Sequence, residues 1–161
     1  MKINARNSEH GTNLSGKNLR FAVVVSDFNA PITESLLTGC REALLSAGVK
    51  DKDLRVVWVP GAFELPLACL TLARTRRYAA VIALGCVIRG ETPHDRYICR
   101  AVSQGIIRAG LDTGVPVIFG VLTTLDEKQA HARSGRNDRN KGMESALAAL
   151  RMARLMKEKP F

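Results

Sequence analysis

Four short, β-branched apolar runs, each followed by a stretch of helical period, constrain this chain more than any other feature. The runs are residues 21–26 (FAVVVS), 54–59 (LRVVWV), 79–85 (AAVIALG) and 116–122 (PVIFGVL). Three of them are apolar nearly throughout rather than alternating, the pattern of strands covered on both faces of a parallel sheet. Between them the apolar residues space out. From Pro31 to Ala47 they fall at Ile32, Leu36, Leu37, Cys40, Leu44 and Leu45, with Pro31 suited to a first helical turn and Gly48 to a stop. Further helices are expected from Ala62 to Arg74, Pro93 to Leu111, Asp126 to Arg133 and Gly142 to Lys157.

Strand alternating with helix predicts the α/β class: a three-layer αβα sandwich around a four-stranded parallel sheet, doubly wound and flavodoxin-like. Ligands of such sheets bind beyond the carboxyl ends of the strands, so functional residues are sought just after positions 26, 59, 85 and 122. At 161 residues the chain suits one domain, expected over 19–161 behind a polar arm over 1–18 that is either mobile or added to a neighbouring subunit.

The net charge of +9 favours anionic partners, but aromatics at 5% argue against a stacking platform for nucleic acid. A solvated basic surface is the expectation, without a nucleic-acid partner. No apolar run approaches the ~20 residues of a membrane span, and residues 1–17 carry no apolar leader core. A cytoplasmic protein without membrane association is therefore expected. Cys40, Cys69, Cys86 and Cys99 show no CxxC spacing, which predicts reduced, mostly buried thiols and no metal site.

The strand ends carry the chemistry. Phe28, in SDFN, is either a staple at a helix start or a flat face for a heteroaromatic ring. Glu64, in PGAFELP, either complements a helix dipole or accepts hydrogen bonds from a polyol or an amine. The third junction, GCVIRGETPH, sets Gly90, Glu91 and Thr92 before a helix start, a turn of donors fit for one phosphate. It is not a Walker loop, since the GxxxxGK[ST] spacing is absent. His94 beside that turn suits proton transfer. Beyond the fourth strand, Arg133 either reaches a phosphate or stays solvated, whereas Arg136 and Arg139 read as solvated turn residues.

Taken together, VVSDFN, VWVPGAFELP, ALGCVIRGETPH, VPVIFGVLTT and the stretch RSGRNDRNKG from Arg133 to Gly142 resemble the lumazine synthase family, in its order and spacing over about residues 20–157. The resemblance implies condensation of 5-amino-6-(D-ribitylamino)uracil with L-3,4-dihydroxy-2-butanone 4-phosphate, without a cofactor. It implies His94 as the catalytic histidine and Phe28 as the ring that stacks on the pyrimidine. Ala62, Phe63 and Glu64 match the ribityl-binding turn, and Cys86, Val87 and Ile88 the segment along the pyrimidine edge. Glu91 and Thr92 match the phosphate turn, with Arg133 as its guanidinium partner. Phe119 matches an aromatic supplied by a neighbouring subunit, and Asn29, Lys141 and Glu144 are supporting positions. The implied assembly is a homo-oligomer with sites at subunit interfaces, a pentamer at minimum, with an icosahedral shell of twelve pentamers and association with riboflavin synthase left open.

Two stretches depart from the family pattern, one of them the turn Arg136-Asn-Asp-Arg139, which is more charged than the Gly/Ala/Lys turn usual there. An aromatic and then an acid usually follow the histidine, whereas here Asp95 and Arg96 precede Tyr97. The acid has moved about 100° around a helix. Two other readings compete: a flavin- or lumazine-binding or cargo shell protein of the same fold, and a flavodoxin-like or response-regulator domain. The second lacks an acidic pocket or phosphoacceptor aspartate at the strand ends.

Overall fold

The computed structural model describes residues 14–159, and in it the four apolar runs form one sheet, all parallel, in the order β2-β1-β3-β4. The strands are β1 (Phe21–Ser26), β2 (Leu54–Val59), β3 (Ala80–Ile88) and β4 (Val117–Thr124). The helices are α1 (Ala30–Ser46), α2 (Leu65–Arg74), α3 (His94–Thr113), α4 (Glu127–Ser134) and α5 (Lys141–Glu158). This is the doubly wound three-layer sandwich expected from the alternation of elements.

Alternating residues of the central strands face opposite ways and build two cores. Phe21, Val23, Val25, Ile82 and Leu84 pack with Leu36 and Leu44 of α1 and with Ala146 and Leu150 of α5. Ala22, Val24, Val81 and Ala83 pack with Leu65 and Cys69 of α2 and with Val102 and Ile106 of α3. Every residue of β1 is buried, which is why its sequence lacks polar alternation. Edge strand β2 is only half-buried, and Arg55 and Trp58 stand exposed on it.

Several boundaries differ from the sequence expectation. β3 runs on to Ile88 because its ladder with β4 continues to Ile88↔Thr124, so Cys86, Val87 and Ile88 belong to the strand rather than to a following loop. Residues 62–64 form a 3₁₀ turn, and α2 starts at Leu65 with Pro66 in its first turn. Proline has no N–H to give, which makes a helix start its favoured place. Of the expected polar arm, residues 1–13 lie outside the described residues. The stretch that follows is docked: Leu14 packs against the α1–α5 core and the Gly16 amide donates to Ala47 O at 2.7 Å.

The NKG sequence at the start of α5 has a structural explanation in two of its three residues. Asn140 is 4% exposed. Its Oδ1 accepts from the Met143 amide at 3.1 Å, capping α5, while its Nδ2 donates to the carbonyls of Ser134 and Gly135 at the end of α4. Gly142 lies so close to α1 that a Cβ would overlap the Leu36 carbonyl. Lys141 is thereby held in place between a cap and a close helix contact. Asn140→Ala is expected to cost about 2–3 kcal/mol, the sum of a lost cap and of buried carbonyls left without a donor. Asn140→Asp keeps the capping acceptor but not the donors and should fall between. Thermal unfolding of the three proteins checks the order.

Candidate active site

At the carboxyl end of the sheet, the β1–α1 turn is set by Asn29, which adopts a left-handed conformation (φ 63°) that asparagine tolerates better than most residues. Its Nδ2 donates to Cys86 O at 3.0 Å, tying the turn to β3. The β1–β2 pairing runs on past the strand ends, with the Asp27 amide on Val59 O at 2.8 Å and the Phe28 amide on Pro60 O at 3.1 Å. Phe28 is thus presented, 70% exposed, beside the 60–64 turn.

Between this turn, the end of β3 and the start of α3 lies a cleft of about 450 Å³. It brings together Phe28, Ala62, Phe63, Glu64, Cys86, Val87, Ile88, Thr92 and His94, nine of the residues singled out from sequence. Cys86 itself is 1% exposed and its thiol packs into the α1–α5 core, so β3 meets the cleft mainly through Val87 and Ile88. Pro60, Gly90, Asp95 and Ile98 also line the cleft. Asp95 was legible only as a displaced acid. Its position in the first turn of α3 turns it into the cleft beside His94, with no hydrogen bond between the two among the described residues.

The remaining candidates lie elsewhere. Glu91 is exposed and does not line the cleft. Phe119, Arg133 and Lys141 line a separate basin of about 500 Å³ beside edge strand β4, together with Thr123, Thr124 and Gln129. There Arg133 Nη2 lies 3.3 Å from Glu144 Oε1, and Lys141 Nζ lies 3.3 Å from Glu144 Oε2. One carboxylate therefore orients two cations, leaving the basin with surplus positive charge. Thr124 Oγ1, also on this basin, is buried without a partner among the described residues. A wider groove, about 1370 Å³, runs between α1 and the α4–α5 turn, but no histidine or aromatic ring lines it. Size does not mark the site here; the convergence of chemistry does.

Residues 18–157 match the family model for 6,7-dimethyl-8-ribityllumazine synthase. The chain belongs to that family. It is a transferase that condenses 5-amino-6-(D-ribitylamino)uracil with L-3,4-dihydroxy-2-butanone 4-phosphate to 6,7-dimethyl-8-ribityllumazine, the penultimate step of riboflavin biosynthesis. The match carries this reading over a flavodoxin-like or response-regulator domain, and nothing favours a binding or cargo protein without turnover. Among the described residues no three His, Cys, Asp or Glu side chains gather as a metal set, and no helix is long and apolar enough to cross a membrane.

Burial governs the thiols. It pushes Cys40 and Cys69 up to about 12 and Cys86 to about 11, so none of the three supplies a thiolate near neutrality. Unfolded thiols ionise near the ordinary value of 9.0. Between there and 11–12 the unfolded chain binds fewer protons than the folded one, so stability falls as pH rises through that window and is unaffected below it. Each thiol adds up to about 1.4 kcal/mol per pH unit there. Thermal melts from pH 8 to 11 should show the fall, and Cys40→Ala should make it shallower; an unchanged slope would assign the alkaline loss to other groups.

Proposed function

We propose that the cleft and the basin are two halves of one active site, completed between neighbouring copies of the chain. The supporting observation is their separation: the stacking ring, the ribityl turn and His94 share one surface, while Phe119 and the cations fit for phosphate share another. A single copy offers each half without the other. Exposed Leu67 on α2 and Tyr97, Ile107 and Leu111 on α3 supply apolar surface for association. We take a pentamer as the minimal assembly, with a shell of twelve pentamers and contact with riboflavin synthase as larger forms of the same reading. The catalytic domain is assigned to residues 19–161, with 1–18 as an arm. Three buried, unpaired thiols fit a reducing compartment, in keeping with a cytoplasmic location.

In this site Phe28 stacks on the pyrimidine, and Glu64, with Ala62 and Phe63, receives the ribityl hydroxyls. Val87 and Ile88, with Cys86 behind them, border the ring edge. Gly90, Glu91 and Thr92 form the phosphate turn, and Arg133 and Lys141 of the neighbour reach the phosphate, oriented by Glu144. The 5-amino group attacks the butanone carbonyl, water leaves to give an imine, phosphate is eliminated, and the ring closes with loss of a second water. Each step moves a proton, and His94 at the head of α3 is the shuttle. Holding the two reactants together supplies a large part of the acceleration, because effective molarities of oriented groups are high.

His94→Ala is expected to slow turnover by about 100-fold, the lower end of the usual acid–base range. Arg133→Ala is expected to raise KM for the butanone phosphate more severely; an unchanged KM would remove the phosphate assignment. The shared site has its own test. A chain carrying Phe28→Ala and His94→Ala, mixed after unfolding with one carrying Phe119→Ala and Arg133→Ala, should regain activity, since about a quarter of random interfaces unite two intact halves. No recovery from correctly assembled mixtures would return the site to a single chain.

A further inference from the structure

The surplus of positive charge, +9 over the chain, is not spread over the surface. It concentrates at the end of the sheet opposite the cleft, where the strands begin. Arg20 precedes β1, Lys50 and Lys52 precede β2, and Arg55 is the second residue of β2. Arg74 ends α2, and Arg76 and Arg77 lead from it into β3. The registers Phe21↔Leu54 and Phe21↔Ala80 set these three strand starts side by side, within roughly 10 Å at the usual strand spacing.

All seven cations are exposed, and none makes an ion pair among the described residues. The acids in these connections are Asp51 and Asp53, and Asp51 is already held by Arg41 at 2.7 Å. Elsewhere Arg133 and Lys141 share Glu144, Arg136 faces Glu42 and Arg108 faces Asp112, while the cations without an ion pair at the cleft end, such as Arg89, Arg96 and Arg139, are interspersed in the chain with Glu91, Asp95 and Asp138. The C-terminus of α2 favours Arg74 and the adjacent Arg76 and Arg77; Arg20, Lys50, Lys52 and Arg55 have no such support, and the seven repel one another.

We propose that this basic end is a docking surface for the phosphate backbone of double-stranded nucleic acid. Five of the seven are arginines, whose planar guanidinium matches a phosphate through two parallel hydrogen bonds. Tyr78, the aromatic of these connections, has Arg20 over its ring at 5.7 Å and is half-buried against the α2–α3 core, which makes it a poor platform for an unpaired base. That favours duplex, held through phosphates and without base readout, over single strands. An acidic protein partner would need apolar anchors, and none of the large exposed apolar side chains lies in these connections. The charge count alone predicted a solvated surface; its segregation at one end is what alters that reading.

The test is fluorescence anisotropy of a short labelled duplex of arbitrary sequence, with the assembled wild-type protein and two double variants of equal charge change. With about four phosphates contacted, affinity should fall on the order of 100-fold between 50 and 200 mM salt. Lys52→Glu with Arg77→Glu should weaken binding at least about 10-fold and flatten the salt slope. Arg136→Glu with Arg139→Glu, on the α4–α5 turn, should change it only a few-fold, and lumazine formation should stay unchanged in both. Equal losses in the two variants would mean diffuse charge and overturn the proposal, as would no duplex binding at 50 mM salt. Tighter binding of polyglutamate than of duplex at the same salt would overturn it in favour of an acidic protein.

Discussion

The rest of this structure depends on the burial of β1 throughout and of β3 from Ala80 to Cys86. A strand with apolar side chains on both faces has to be covered from both sides, and the only covering available is the set of helices between the strands. Chain direction then distributes them. The step from β1 to β2 carries α1 to one face, and the steps to β3 and β4 carry α2 and α3 to the other, as right-handed crossovers require. The sheet therefore reverses its order of addition between β1 and β3. The loops beyond these two strands part at that point, and the cleft with Phe28, Glu64 and His94 forms there.

The edges of the sheet do different work. β4 closes one side, and the short α4 with its connection to α5 folds back beside it, held by Asn140. The result is a second surface where Glu144 gathers Arg133 and Lys141. Placing the cations for an anionic group on one surface and the aromatic and imidazole groups on another makes assembly a condition of the proposed chemistry.

Much of the fold was readable without coordinates because burial writes itself into composition. The apolar runs gave the strands to within a few residues, and the helix start at Pro31 followed from a residue that lacks an amide hydrogen, whereas α2 begins at Leu65 rather than Ala62 because residues 62–64 form a 3₁₀ turn. The end of β3 was misjudged because Cys86-Val-Ile is apolar whether it continues a ladder or lines a crevice; only the partner strand decides. Asp95 escaped notice as a cleft residue because the direction of a first-turn side chain depends on what α3 packs against. The role of Gly142 was hidden for the same reason, since it acts across a contact with α1 distant in sequence, and Asn140 joins the end of α4 to the start of α5 through a side chain whose direction only the fold sets.

The amino-acid sequence by itself determined the layer order, the end of the sheet where the cleft opens, and the family, because local periodicity, turn chemistry and short motifs need no knowledge of long-range contacts. Tertiary structure alone decided which candidates share a surface and which do not. It split Arg133 and Phe119 from His94, aimed Asp95 into the cleft, and collected Arg20, Lys52 and Arg77 at the opposite end. Those outcomes depend on strand order and register, which join residues far apart in the chain, and no local pattern records them.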